Sequence, residues 1–447
     1  MLREIKKIIV DDFRLLIGWS VKHSPILLIL LFAYFAIYFF NLVIATFLSP
    51  ADYGDIAVIV QLLILFAPFV LAGTELAMMR FLPKYFEQNS GDKVHGFLKW
   101  NLKIFLITAF AILVIGSIIA ILVLFTPFMG SKDLQEYHPI VFSFWLIPLF
   151  AYMILQSALL QTLKHYFIAA VSKGAALYFL CLVAVYIIGA VYGDLGVYPI
   201  IFTIGLSIFL IISLQFIALC ISLPKRLASA ESLVDKSRWG KTSFQMMLSS
   251  IILSGLQSID IVMLELLYHK DSAVGHFAAI LVLVGIMLVF GAGVNLIVNP
   301  QISTGVHPEN IEKFQHTLSL TNIIKAVPIT VIFILLIIYG KTLLGFFGHT
   351  YIQHYPQMLT LASGYIVWTF LMTATPILLY SGHQKLVVRI SGAQLLSAIV
   401  LNFLLIPHYG IWGVTISLVV TMACASIVST IMVHRYLKLR IFFLKFL

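Results

Sequence analysis

The chain alternates long apolar runs with short polar breaks. Residues 24–48 read SPILLILLFAYFAIYFFNLVIATFL, without one charged side chain. A hydrocarbon core about 30 Å thick needs roughly 20 such residues at helical rise. A soluble helix would interrupt its apolar residues every few positions. Eleven further runs behave alike, and the twelve predicted spans are 25–48, 56–80, 102–125, 139–162, 168–191, 197–222, 243–266, 274–299, 320–340, 355–380, 385–406 and 411–433. Lipid offers the backbone no hydrogen-bond partner, so runs of this length predict helices rather than barrel strands. The expected fold class is all-α integral membrane, with about 12 transmembrane helices.

The polar breaks are short. The longest, 82–100, 223–242 and 300–319, are too small for a folded soluble domain. They also divide the chain into similar halves. PADYGDIAVIV at 50–60 aligns with DSAVGHFAAIL at 271–281, pairing Gly54 with Gly275, Ala57 with Ala278 and Ile59 with Ile280. GDLGV at 193–197 precedes the sixth span, and GIWGV at 410–414 precedes the twelfth. This pattern predicts two pseudo-symmetric six-helix bundles in the same orientation, a parallel repeat known among transporters. The expected organisation is a cytoplasmic N-terminal segment 1–24, an N-lobe 25–222, a cytoplasmic linker 223–242, a C-lobe 243–433 and a basic tail 434–447. Their interface would make a central cavity able to open to either side.

Composition agrees with the pattern. Hydrophobic residues make up 61% of the chain and charged residues 10%, against about a quarter charged in soluble domains. The net charge of +10 would suit a nucleic-acid binder, but its distribution excludes one. With the N-terminus in the cytoplasm, 25 of 28 Lys and Arg fall on the cytoplasmic side, the asymmetry of a multi-pass membrane protein. Only Lys132, Lys270 and Lys341 lie opposite, and both termini are then cytoplasmic. Residues 2–19 place Leu2, Ile5, Ile9, Leu16 and Trp19 among Lys and Arg, which fits an interfacial amphipathic helix or a plain charged tail. The first apolar run is too long for a signal-peptide core, so no cleaved signal is expected. Cys181, Cys220 and Cys424 all lie in apolar runs and read as packing residues.

Ionisable groups inside spans are costly and tend to face a cavity or a partner. Glu75 lies late in span two, with Arg80 and Lys84 after it; Asp260 and Glu265 lie late in span seven. Asn41, Gln61, Asn295 and Asn299 add polar groups in spans one, two and eight. Lys164 and Lys173 bracket the start of span five, Lys325 is early in span nine, and Lys385 and Arg389 are early in span eleven. Arg80 and Arg389, then Lys164 and Lys173, are candidates for an anion clamp, since a guanidinium fork fits phosphate oxygens. The alternative is that they anchor the helices by snorkelling, the reading favoured for Lys325 and Lys385. Glu75 and Asp260 are candidates for ion coupling; alternatively Glu75 pairs with Arg80 or Lys84, and Asp260 is solvated. Pro68, Pro148, Pro328 and Pro376 are candidate bends, and Gly285, Gly291 and Gly293 loosen span eight.

Catalytic motifs are missing from the sequence. No GxxxxGK[ST] loop occurs, and the histidines have no metal-ligand spacing. Asp52 and Asp55 could suggest a metal-dependent glycosyltransferase, but read as turn residues. No cofactor or metal is expected.

Twelve spans in two lobes, LSPADYG leading into span two, RFLPKY leaving it, SID near the end of span seven followed by VGHFAA, and the glycine pair before span twelve together resemble the polysaccharide flippases. Those are the O-antigen and capsule repeat-unit flippases of the multidrug/oligosaccharidyl-lipid/polysaccharide exporter superfamily. The resemblance implies a non-enzymatic flippase of a bacterial inner membrane, acting in surface polysaccharide and lipopolysaccharide biosynthesis. The implied substrate is undecaprenyl-diphosphate-linked oligosaccharide, moved by alternating access while its tail stays in lipid. Its sugars and diphosphate would meet Arg80, Arg389, Lys164, Lys173, Asn41, Asn295 and Asn299. Membrane lipid, H⁺ or Na⁺ at Glu75 and Asp260, and polysaccharide-assembly proteins are the expected partners. Alternatives are a cation-coupled drug or metabolite exporter of the same superfamily, a membrane glycosyltransferase or polymerase, and a non-transporting scaffold.

Overall fold

A computed structural model of the chain describes residues 28–125, 138–193, 195–223, 235–270, 272–293, 302 and 311–441. In chain order its main helices are α1 Leu28–Phe47, α2 Pro50–Leu71, α3 Thr74–Glu87, α4 Gly91–Phe125, α5 Ser143–Thr162, α6 Tyr166–Val171, α7 Leu177–Tyr192, α8 Val197–Ser222, α9 Lys236–Leu267, α10 Ala273–Val284, α11 Ile286–Gly293, α12 Ile311–Phe347, α13 Tyr355–Leu371, α14 Ala374–Tyr380, α15 Gln384–Tyr409 and α16 Ile411–Leu437. No strand occurs among the described residues. Among the described residues, eleven candidate spans are long and apolar enough to cross a membrane, or twelve if α10 and α11, bent by 41° at Gly285, form one. The all-α membrane fold expected from the sequence is therefore the observed one.

Several helices outrun their predicted spans. α4 begins at Gly91, not 102, and α12 at Ile311, not 320. At 35 residues, α4 is about 52 Å long, well beyond the hydrocarbon core. Helix α9 begins at Lys236, inside the expected linker 223–242; residues 224–234 lie outside the described set, as do 1–27 and 442–447. Asp52 and Asp55 are not turn residues, because α2 begins at Pro50. Ser49 caps it: its Oγ accepts from the Asp52 amide at 3.2 Å and donates to Asp52 Oδ2 at 2.7 Å.

The chain divides into two compact units, residues 39–278 and residues 1–38 with 279–447. In the first, α2 is central, packed by α5 and α9, with α8 on α5. Helix α9, the predicted seventh span, thus packs on α2 and α3, the two parts of span two and its extension. It carries a row of small residues: Ser243, Ser250, Ser254 and Ser258 follow one another at spacings of seven, four and four, and all but the half-buried Ser250 are buried. Trp239 pins its N-terminal end, 1% exposed and donating to Tyr85 Oη at 3.0 Å. At the start of α10, a Cβ on Gly275 would lie 2.0 Å from the Pro50 carbonyl oxygen and 3.3 Å from the Gly54 nitrogen. The two glycines aligned in the sequence repeat are therefore neighbours in space.

In the second unit, α15 and α16 form an antiparallel pair through the turn at Gly410; α13 and α14 pack on α16, and α12 on α13. Tyr34 Oη donates to the Val282 carbonyl at 2.7 Å, holding α1 to α10. After α16, residues 438–441 fold back on α12. The Gln315 side chain pairs with both backbone groups of Arg440, and Asn322 donates to the Ile441 carbonyl.

The two halves share their turns. Gly193 (φ 76°) and Gly410 (φ 52°) end α7 and α15 in backbone that suits glycine. Lys164 (φ 68°) and Gly382 (φ 91°) sit in matching six-to-one closures, His165 N to Leu160 O and His383 N to Leu378 O, each 2.9 Å.

Candidate functional site

Two of the buried charges, Glu75 and Lys325, sit at or beside broken spans, and a third, Asp260, lies within the unbroken α9. In the first unit, span two is interrupted between α2 and α3 at Ala72 (φ 49°) and Gly73 (φ 71°). A Cβ at Gly73 would lie 2.1 Å from the Ser243 carbonyl oxygen and 2.5 Å from the Met247 nitrogen. The break is therefore pressed against α9 where only glycine fits. Its loosened backbone groups find partners on α4: Thr108 Oγ1 donates to Val70 O at 2.5 Å, and Asn101 Nδ2 to Thr74 O at 3.3 Å.

Glu75 follows the break, in the first turn of α3, and is buried. Its Oε1 accepts from Ser250 Oγ on α9 at 3.2 Å. A carboxylate there also faces the positive end of the α3 dipole. Arg80 lies on the same helix but is exposed, roughly 140° around it from Glu75. Asp260 is buried on α9. It stands ten residues, about 15 Å, along that helix from Ser250, so the two candidate coupling carboxylates belong to separate places.

The other predicted residues of this unit scatter. Asn41 Oδ1 accepts from the fully buried Tyr53 hydroxyl at 3.0 Å, tying span one to span two. Lys164 is exposed in the turn after α5. Lys173 lies in a π-helical turn, Ser172–Ala176, with its side chain outside the described set. Asn295 and Asn299 lie outside the described residues. Sequence reasoning passed over a polar node nearby: buried Gln215 Nε2 donates to Ser157 Oγ at 2.8 Å and to Ser172 Oγ at 2.7 Å, and buried Gln156 has neither amide atom bonded.

In the second unit, span ten breaks between α13 and α14 at Met372–Thr373. Pro376 causes it, since its ring has no N–H and crowds the carbonyl four residues back, at Met372. Lys325 reaches this break from α12. Its place near the start of span nine suits a snorkelling anchor, but it is fully buried. Its ammonium donates to Thr373 Oγ1 and, at 3.4 Å, to the Thr369 carbonyl in the last turn of α13. That carbonyl lies at the negative end of the helix dipole, a seat that suits a cation. Thr369 and Met372 also pack against Gly291 of α11. Arg389 is exposed on α15, beside a cavity of about 720 Å³ between α15 and α16.

One signal for Lys325 was present in the sequence. Residues 279–447 hold nine Lys and Arg but only Glu309 and Glu312 as acids; residues 39–278 hold fourteen basic and thirteen acidic residues. No Asp or Glu follows Glu312. No group of three or more His, Cys, Asp or Glu among the described residues could hold a metal.

No protein-family model and no curated protein matches the chain. Solved structures do match in fold. An inward-facing multidrug resistance MATE family transporter of the MOP superfamily superposes with a TM-score of 0.73 at 14% identity, covering 91% of this chain and 94% of its own. The lipid II flippase MurJ, in an inward closed conformation, gives 0.69 at 12% identity, covering 93% and 87%. A MOP superfamily transporter from Pyrococcus furiosus, whose reversed pocket polarity was taken to suggest a different function, gives 0.60 at 14%, covering 93% and 95%. The chain shares the fold of these transporters over nearly its whole length.

Proposed function

We propose that the chain is a membrane transporter that flips an anionic lipid-linked substrate, undecaprenyl-diphosphate-linked oligosaccharide, across a bacterial inner membrane by alternating access. The observation that carries this reading is the buried Lys325 in a stretch of chain with no carboxylate after Glu312. A buried cation is stable only when an anion or oriented dipoles balance it. Two threonine oxygens and a helix end do so in part, and a diphosphate would complete the balance. Arg389, Arg80, Lys164 and Lys173 supply further cations along the substrate's route.

A second reading, a cation-coupled exporter, is favoured by the buried carboxylates Glu75 and Asp260. One experiment separates the two. The purified protein is placed in liposomes with fluorescent undecaprenyl-diphosphate oligosaccharide, and the label reached by an impermeant quencher is followed with and without H⁺ or Na⁺ gradients. Protein-dependent exposure of label is expected. Uptake of cationic dyes with no exposure of lipid would reverse the assignment.

A further inference from the structure

The cavity beside Arg389 is a trough with a polar mouth. It runs along α15 from Arg389 to Leu401, twelve residues or about 18 Å, and along α16 from Val428 back to Val420. Its shape comes from residue size: Ala393 and Ser397 on one helix and Thr421 and Ala425 on the other hollow out the floor, while Leu396, Val400 and Val428 raise the rims. Rim side chains Leu396 and Val400 are 66% and 56% exposed, so the trough is open along its length. Its lining is mainly apolar, with the uncharged polar side chains of Gln394, Ser397 and Thr421 along it, and its charged end is where α15 begins and α16 finishes. There Lys385 and Arg389, one turn apart, are exposed, and Arg435, Lys438 and Arg440 close the end of α16.

We infer that this trough holds the apolar chain of a single-chain phosphate-headed lipid, a polyprenyl phosphate or diphosphate, with its head at Arg389. The match is one of charge and of width. The guanidinium fork and its basic neighbours suit phosphate oxygens, and a trough of about 18 Å is long enough to cross one leaflet, half of a hydrocarbon core about 30 Å thick. A gap between two packed helices admits one chain, whereas a two-chain phospholipid would leave its second chain outside. The inference rests on the flippase reading, and it assigns the substrate's tail a seat on the protein instead of leaving it in bulk lipid.

The trough carries its own reporter. Cys424 is exposed and lines it; Cys220 is exposed elsewhere, and Cys181 is buried. The full-length Cys220→Ser protein is placed in phosphatidylcholine nanodiscs, and Cys424 is labelled with a membrane-permeant maleimide. Undecaprenyl phosphate should slow labelling several-fold, and phosphatidic acid at equal mole fraction should not. Arg389→Gln should remove the protection while leaving the unprotected rate unchanged, which shows the fold is retained. Ser397→Trp, which fills the floor, should remove it too. Absence of protection, equal protection by phosphatidic acid, or protection surviving Arg389→Gln would each overturn the inference. The labelling needs no translocation. Liposomes that flip lipid without protection of Cys424 reject the trough and keep the flippase, and protection without flipping does the reverse.

Discussion

Spans two and ten are both broken after about twenty residues, but by different means. The first break is fixed by backbone stereochemistry: two successive residues with positive φ, one of them a glycine with no room for a Cβ. The second keeps near-helical angles at Met372 (φ −61°) and Thr373 (φ −67°) and is opened by a proline three residues on. Their charges are opposite. The first carries a carboxylate at the start of the helix after the break, and the second holds an ammonium at the end of the helix before it. Each charge sits on the helix end whose dipole favours it. In these two spans the break is a socket that seats a buried ionisable group, and the side of the break that is used matches its sign.

The largest effect should come from closing the first socket. Gly73→Ala costs about 1–2 kcal/mol for left-handed backbone, and about 1–3 kcal/mol more for overlap with Ser243 and Met247. Gly382→Ala, also at positive φ but with nothing within 4 Å, should show the backbone cost alone. Thermal unfolding of the purified proteins in detergent measures both. Equal losses would mean that the close approach to α9 contributes nothing.

The second socket should show itself in transport. Lys325→Met keeps the side-chain volume and removes the charge. Replacing a buried ion by a well-packed apolar group is often neutral for stability. The expected outcome is an unchanged melting temperature and at least a roughly ten-fold loss of lipid flipping, equivalent to about 1.4 kcal/mol. Normal flipping by Lys325→Met would remove this residue from the substrate's path.

These two sockets also mark the limit of what the sequence discloses. The spans could be read because hydropathy is a property of the residues themselves, and the glycine turns because Gly193 and Gly410 recur at equivalent places. The break at Ala72–Gly73 could not be read. Attention falls on Pro68, four residues earlier, whereas the left-handed glycine is dictated by how closely α9 approaches. Lys325 was missed for a similar reason. A lysine near a cytoplasmic helix end can snorkel, and only the packing of α13 and α14 shows that it does not. Asn41 could be identified as a polar group in a span, but its partner Tyr53 is fixed by folding.

A smaller effect is expected at Glu75. Glu75→Gln keeps an acceptor for the Ser250 hydroxyl and removes only the charge. Downhill flipping should persist, and stimulation by an H⁺ or Na⁺ gradient should fall several-fold. A variant with an undiminished gradient response would leave the first socket a purely structural feature.

The hydroxyl partners of the two ions give the finest comparison. Thr373→Val leaves a fully buried ammonium with one backbone carbonyl, and depriving a buried charge of a partner costs about 1–3 kcal/mol. Ser250→Ala removes one long bond, 3.2 Å, from a half-buried serine, so its cost should be about 0.5–1 kcal/mol. Alanine also preserves the small-residue row of α9. Melting temperatures should therefore fall further for Thr373→Val than for Ser250→Ala. The reverse order would mean that Glu75 depends on Ser250 more than Lys325 depends on Thr373. The carboxylate would then be the more tightly bound ion, and the contrast between a stereochemically locked break and a charge-filled one would have to be redrawn.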